Sequence, residues 1–128
     1  MATPAIILIA VSDAVMADSL RFSLELEGLE VKLCDEFSMR RTIQDEAAGN
    51  CIVLDQTVFA RVEKDLRSLA GDDLPIILLI GHATERLTAR ARVAGVTMVL
   101  DTPLMGAALI DAIASSLKSS RTPMAHRS

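Results

Sequence analysis

The stretch that decides the fold is NCIVLDQTVF, residues 50–59. From Cys51 to Leu54 it is an unbroken apolar run of strand length, ending abruptly in Asp55 and the polar pair Gln56 and Thr57. A strand with one wet face alternates polar and apolar residues, whereas one buried on both faces reads as a continuous hydrophobic run. Residues 51–54 are of the second kind. A carboxylate placed where such a strand surfaces usually holds a cation, a phosphate or another acid, so the question is what company the chain gives Asp55.

The same signature recurs on either side of it. Ile6–Val11, Ile76–Ile80 and Val96–Leu100 are short, rich in Ile and Val, and followed by turn signals; Leu29–Cys34 is a weaker, amphipathic version. Helical patterns lie between them. The segment from Asp13 to Glu27 carries Met16, Leu20 and Leu24 on one stripe and is stopped by Gly28. Further helices are expected over Phe37–Ala48, Arg61–Leu69, Thr84–Ala94 with Gly95 as its stop, and Leu104–Leu117 just after Pro103. Strands alternating with helices predict an α/β fold: a doubly wound parallel sheet covered on both faces. A single domain is expected over residues 1–118, with 119–128 a flexible tail and no output domain.

Composition excludes several classes. At 128 residues the chain is long enough to bury a real core, and 51 % hydrophobic with 23 % charged residues is not the make-up of a disordered chain. Three Phe with no Tyr or Trp leave little to stack on bases, and a net charge of −4 argues against a nucleic-acid partner. No run spans a membrane and no basic segment precedes Ala5–Val11 as in a signal peptide, so a cytoplasmic protein is expected. Cys34 and Cys51 lack metal-ligand spacing and read as reduced core thiols.

In open parallel sheets, sites form beyond the carboxyl ends of the strands. Four strings at and around those ends, SLRFSLELEGLEV (19–31), CIVLD (51–55), DDLPIILLIGHA (72–83) and RVAGVTMVLDTP (92–103), together resemble response-regulator receiver domains, CheY-like and nearest the FixJ type, over about residues 5–118. The resemblance implies a flavodoxin-like (βα)5 sheet with strand order 2-1-3-4-5. It also implies that Asp55 matches the aspartate that accepts a phosphoryl group from a histidine kinase. In that family two acids after the first strand help to hold a divalent metal, and a lysine after the fifth strand stabilises the transferred oxygens. A Thr or Ser after the fourth strand and an aromatic on the fifth strand relay the change.

At those positions this chain has Val11 and Ser12 for the acid pair, Thr102 for the lysine, Ile80 for the hydroxyl and Val99 for the aromatic. The loop after Asp55 reads QTVFARV and looks shortened. Asp13, one place beyond the acid pair, is either a substitute acid turned toward Asp55 or the cap of the first helix, and the cap is the preferred reading. Without cations, Asp55 would have to rely on loop N–H groups and on the hydroxyls of Ser12 and Thr102. His82 beside one Asp with no nucleophile does not make a catalytic set, and no enzyme is expected.

The expected function is therefore that of an atypical, or pseudo-, receiver of two-component or phosphorelay signalling. It would be a stand-alone protein-binding module needing no cofactor, with a histidine kinase, a phosphotransfer protein or another regulator as partner. The alternative is a working single-domain regulator phosphorylated on Asp55, with Mg²⁺ held through Asp13. A small flavodoxin-like enzyme or nucleotide binder ranks last, because VSDAVMADS after the first strand is no Gly-rich phosphate loop. Two surfaces are candidates for the partner. Val15, Phe22 and Leu26 form a second apolar stripe on the first helix, free for a partner or else packed against the last helix. Arg86, Arg90 and Met98 mark the face of the fourth helix, fifth strand and fifth helix, through which a homodimer could form.

Overall fold

The computed structural model describes residues 6–35, 37–39, 41, 51–71, 74–102 and 108–127, with side chains to Leu117 apart from that of Ala70. Five parallel strands form one sheet in the order β2-β1-β3-β4-β5: β1 (Ile6–Ala10), β2 (Glu30–Leu33), β3 (Cys51–Asp55), β4 (Ile76–Ile80) and β5 (Met98–Asp101). The helices are α1 (Ala14–Leu26), α2 (Gln56–Val62), α3 (Leu66–Ala70), α4 (Glu85–Val93) and α5 (Ala108–Arg127). The expected sheet and its order are both found.

Period-two alternation divides the central strands between two cores. Ile7, Ile9, Cys51, Val53, Ile77 and Leu79 face α1 and α5, where Ala17, Leu24, Leu109 and Ile113 are buried against them. Leu8, Ala10, Ile52, Leu54, Leu78 and Ile80 face the other way, against Val58, Phe59, Leu66 and Ala91 of α2, α3 and α4. Because both faces are covered, these strands read as continuous apolar runs. β2 has one strand neighbour, and its exposed Glu30 and Lys32 put charge on an edge that would otherwise invite pairing.

Glycine ends two helices as expected. Gly28 (φ 85°) and Gly95 (φ 101°) take the left-handed conformation that other residues resist, which lets the following N–H reach back: Leu29 N to Leu24 O at 3.2 Å, and Val96 N to Ala91 O at 2.9 Å.

Three expectations change. QTVFARV is not a loop; it is α2, which starts directly after Asp55, so the helix expected over Arg61–Leu69 begins earlier and is split by a turn at residues 63–65. The reason is the cap: the Asp55 carboxylate accepts the Val58 N–H, and Val58, Phe59 and Val62 then fall on one buried stripe. The backbone of α5 continues to Arg127 where a tail from residue 119 was expected, since loss of the apolar period does not itself stop helical hydrogen bonding. Most of the helix expected over Phe37–Ala48 lies outside the described residues. Where that helix was expected to start, Ser38 N donates to Asp35 Oδ1 at 2.8 Å and Asp35 N donates to Ser38 Oγ at 3.1 Å, the reciprocal pattern of a capping box.

Candidate functional site

The carboxyl ends of β1 and β3 lie side by side, Ala10 paired in register with Leu54, so the next residues, Val11, Ser12 and Asp55, meet at the sheet's upper edge. Asp55 is half-buried there. Its Oδ2 accepts two hydrogen bonds from one residue, Ser12 N at 2.8 Å and Ser12 Oγ at 2.5 Å, and its Oδ1 accepts Val58 N at 2.9 Å. Three donors thus solvate the carboxylate, none carrying a formal charge. Among the described residues no lysine, arginine or histidine forms an ion pair with it.

Asp13, immediately after Ser12, caps α1: its Oδ1 accepts Val15 N at 2.9 Å and Met16 N at 3.2 Å. Val11 is half-buried against the core beneath α1 and α5 and offers no ligand. Thr102 does not donate to Asp55, contrary to expectation. Both its groups are spent on β4, Oγ1 donating to Ile80 O at 3.3 Å and the backbone N–H to the same oxygen at 2.8 Å. Ile80 is fully buried, and Val99 packs against the same core. A hydroxyl would have to rotate to grasp an anion and a ring would have to swing; these aliphatic, β-branched side chains fill space instead. His82 is exposed.

A divalent cation would need oxygen ligands here. Val11 supplies none, the Ser12 hydroxyl is turned as a donor to Asp55, and Asp13 is committed to a helix cap, so the residues present do not fit a metal. Among the described residues there is no group of three or more His, Cys, Asp or Glu able to hold one.

The two candidate surfaces fare differently. Val15, Phe22 and Leu26 are 79 %, 65 % and 70 % exposed, so α5 does not cover them. On the other face Arg90 is turned inward along the surface, its Nε donating to Glu63 Oε2 at 3.1 Å and its other nitrogen to Oε1, which ties α4 to the turn after α2. That pair holds the Glu63 carboxyl below its usual range. Met98 packs into the core beneath α1 and α5 rather than facing outward. Arg86 is exposed and, among the described residues, outside any ion pair. Of the three, Met98 is thus half-buried in the core, while Arg90, though exposed, is engaged with Glu63. The cysteines are free and shielded, burial pushing the Cys34 thiol up to about 11 and the Cys51 thiol to about 12.

Sequence reading missed the Asp55 cap and the Glu63–Arg90 pair. The cap had a signal, an acid three residues before Val58 at the head of an apolar stripe; the pair, 27 residues apart, had none.

A five-stranded parallel sheet of order 2-1-3-4-5 is the flavodoxin-like architecture, which receiver, or CheY-like, domains share, and here an aspartate ends the third strand. Solved structures agree. The FixJ N-terminal domain matches with a TM-score of 0.77 at 20 % identity over 92 % of this chain and 96 % of that one. Full-length FixJ from B. japonicum, of which the chain spans 60 %, matches at 24 % identity over 94 % of this chain, with a TM-score of 0.75. A CheY-like receiver domain protein from Methanospirillum hungatei JF-1 gives 0.79 at 19 % identity, covering 95 % and 99 %. The receiver domain of a sensor histidine kinase from Pseudomonas aeruginosa PAO1, solved with a magnesium ion coordinated in its active-site cleft, gives 0.77 at 20 % identity, covering 91 % and 99 %. No family model and no curated protein matches the sequence. Among the described residues no helix is long and apolar enough to cross a membrane.

Proposed function

We propose that this chain is a receiver-type module of two-component signalling that works by binding a protein partner, with a phosphoryl-acceptor pocket that no longer performs phosphotransfer. One observation carries this reading: Asp55 is surrounded by neutral donors, Ser12 N, Ser12 Oγ and Val58 N, where phosphoryl transfer to a carboxylate needs positive charge. An anionic acceptor and an anionic phosphoryl group repel, and preorganised cations are what offset that repulsion. Neither Ser12 nor Thr102 can take over from a metal or a lysine. The alternative, a working regulator with Asp13 completing a metal site, is opposed by the engagement of Asp13 Oδ1 with Val15 N and Met16 N.

The binding surface in this reading is the outer stripe of α1. Asp18 and Glu25 flank it, Glu27 and Glu30 follow its C-terminal end, and Arg21, the one cation on the helix, already pairs with Asp18 at 3.7 Å. A second copy would bring acid against acid. The occupant that fits is a different polypeptide presenting an apolar helical stripe with basic margins, as a helical kinase or phosphotransfer segment would.

Beryllofluoride with Mg²⁺ mimics a bound phosphoryl group and tests the pocket without any partner. Heteronuclear NMR of the wild type should show no saturable shifts at Ser12, Asp55 or Thr102 when both are added. Saturable shifts at those residues that require both reagents would overturn the reading.

A further inference from the structure

From Asp55 toward β5 the pathway is closed: Ile80 and Val99 are apolar and packed in the core, and both donors of Thr102 end on Ile80 O. In another direction a chain of hydrogen bonds joined by one peptide link is continuous. Val58 N, in the first turn of α2, donates to Asp55 Oδ1; Ser12 N and Oγ donate to Asp55 Oδ2; and the next residue, Asp13, receives Val15 N and Met16 N in the first turn of α1. Two helix caps are thereby joined through a single carboxylate–serine contact between residues 43 apart in sequence.

The first-turn amides of a helix have no partner within it, so the cap decides whether that turn is ordered. Displacing Ser12 displaces Asp13, to which it is covalently bonded, and with it the acceptor that holds the turn carrying Val15. We propose that the Asp55–Ser12–Asp13 chain couples the pocket to the first turn of α1, so that the state of Asp55 is felt at the α1 surface rather than at β5. Its meaning for signalling rests on α1 being the partner face; the coupling itself is a property of the free protein. Coupling of this kind is reciprocal, so a partner seated on α1 also fixes the geometry at Asp55.

Amide hydrogen exchange of the full chain, followed by NMR, tests this. Wild type is compared with Ser12→Ala, Asp55→Ala, the double variant and the conservative Ser12→Thr, reading Val15 and Met16 against Leu78 of the core. Asp55→Ala, which removes both bonds from Ser12, should speed exchange at Val15 and Met16 about fivefold, the size of one lost hydrogen bond, and Ser12→Ala, which keeps the Ser12 N–Asp55 Oδ2 bond, should do so less, with Leu78 unchanged in both. The double variant should go no further than Asp55→Ala alone, and Ser12→Thr should behave as wild type. Unchanged Val15 and Met16, additive effects in the double variant, or equal acceleration at Leu78 would each overturn the coupling. The beryllofluoride result is independent of these outcomes. A pocket that binds the mimic while exchange still couples would remove the proposed function and leave this inference standing.

Discussion

At the scale of single residues the protein uses its acids as caps. Asp13 caps α1 and Asp55 caps α2, Asp35 accepts the Phe37 and Ser38 N–H groups, and each was visible in the sequence as an acid at or just past the end of a strand. What could not be read was the partner set, because whether Ser12 or Thr102 reaches Asp55 depends on side-chain directions at two loop ends that only the folded sheet brings together. Two acids also set a pH dependence. The Ser38 backbone N–H and hydroxyl hold the Asp35 carboxyl below its ordinary value, and the Arg90 guanidinium does the same for Glu63. Both keep their charge to lower pH in the fold than in the unfolded chain. Their stabilisation is present in full above the unfolded values, about pH 4 for such groups, and is lost as pH falls through the folded ones. Urea midpoints measured from pH 6 down to pH 3 should therefore fall, and Arg90→Ala should make that fall shallower. An Arg90→Ala profile parallel to the wild type would contradict the Glu63 part.

At the scale of elements, hydrophobic period succeeded wherever one residue type ended the pattern, as Gly28 and Gly95 do. It misplaced the start of α2 because QTVFARV resembles a loop until Asp55 is recognised as its cap; the buried stripe of Val58, Phe59 and Val62 then follows. Phenylalanine makes the contrast between core and surface measurable. Phe59 is buried and Phe22 is 65 % exposed. Phe59→Ala should cost about 3–5 kcal/mol in denaturant unfolding. Phe22→Asp should change stability by about 0.5 kcal/mol or less while weakening capture of a partner with a basic amphipathic helix. Comparable destabilisation by the two substitutions would mean that the α1 stripe is packed in solution and not available for docking.

At the scale of the whole molecule, the doubly wound sheet was legible because burial on both faces leaves its central strands almost wholly apolar, and four such runs with one amphipathic strand, separated by helices, admit few topologies. Of the pocket, the sequence showed Asp55 at the end of one strand and Ser12 just after another, which the fold brings together. Its actual wiring, with Ser12 bound to Asp55 and Thr102 bound to β4, emerged only from the fold. The proposed function turns on charge: neutral donors hold Asp55 in place, and the proposal is that they do not equip it to accept a phosphoryl group. The most direct measurement is intact-protein mass spectrometry after incubation with acetyl phosphate and Mg²⁺, alongside an active receiver domain as positive control. The prediction is that the control gains a phosphate adduct and this chain does not. A stoichiometric adduct on this chain, absent from Asp55→Asn, would contradict it.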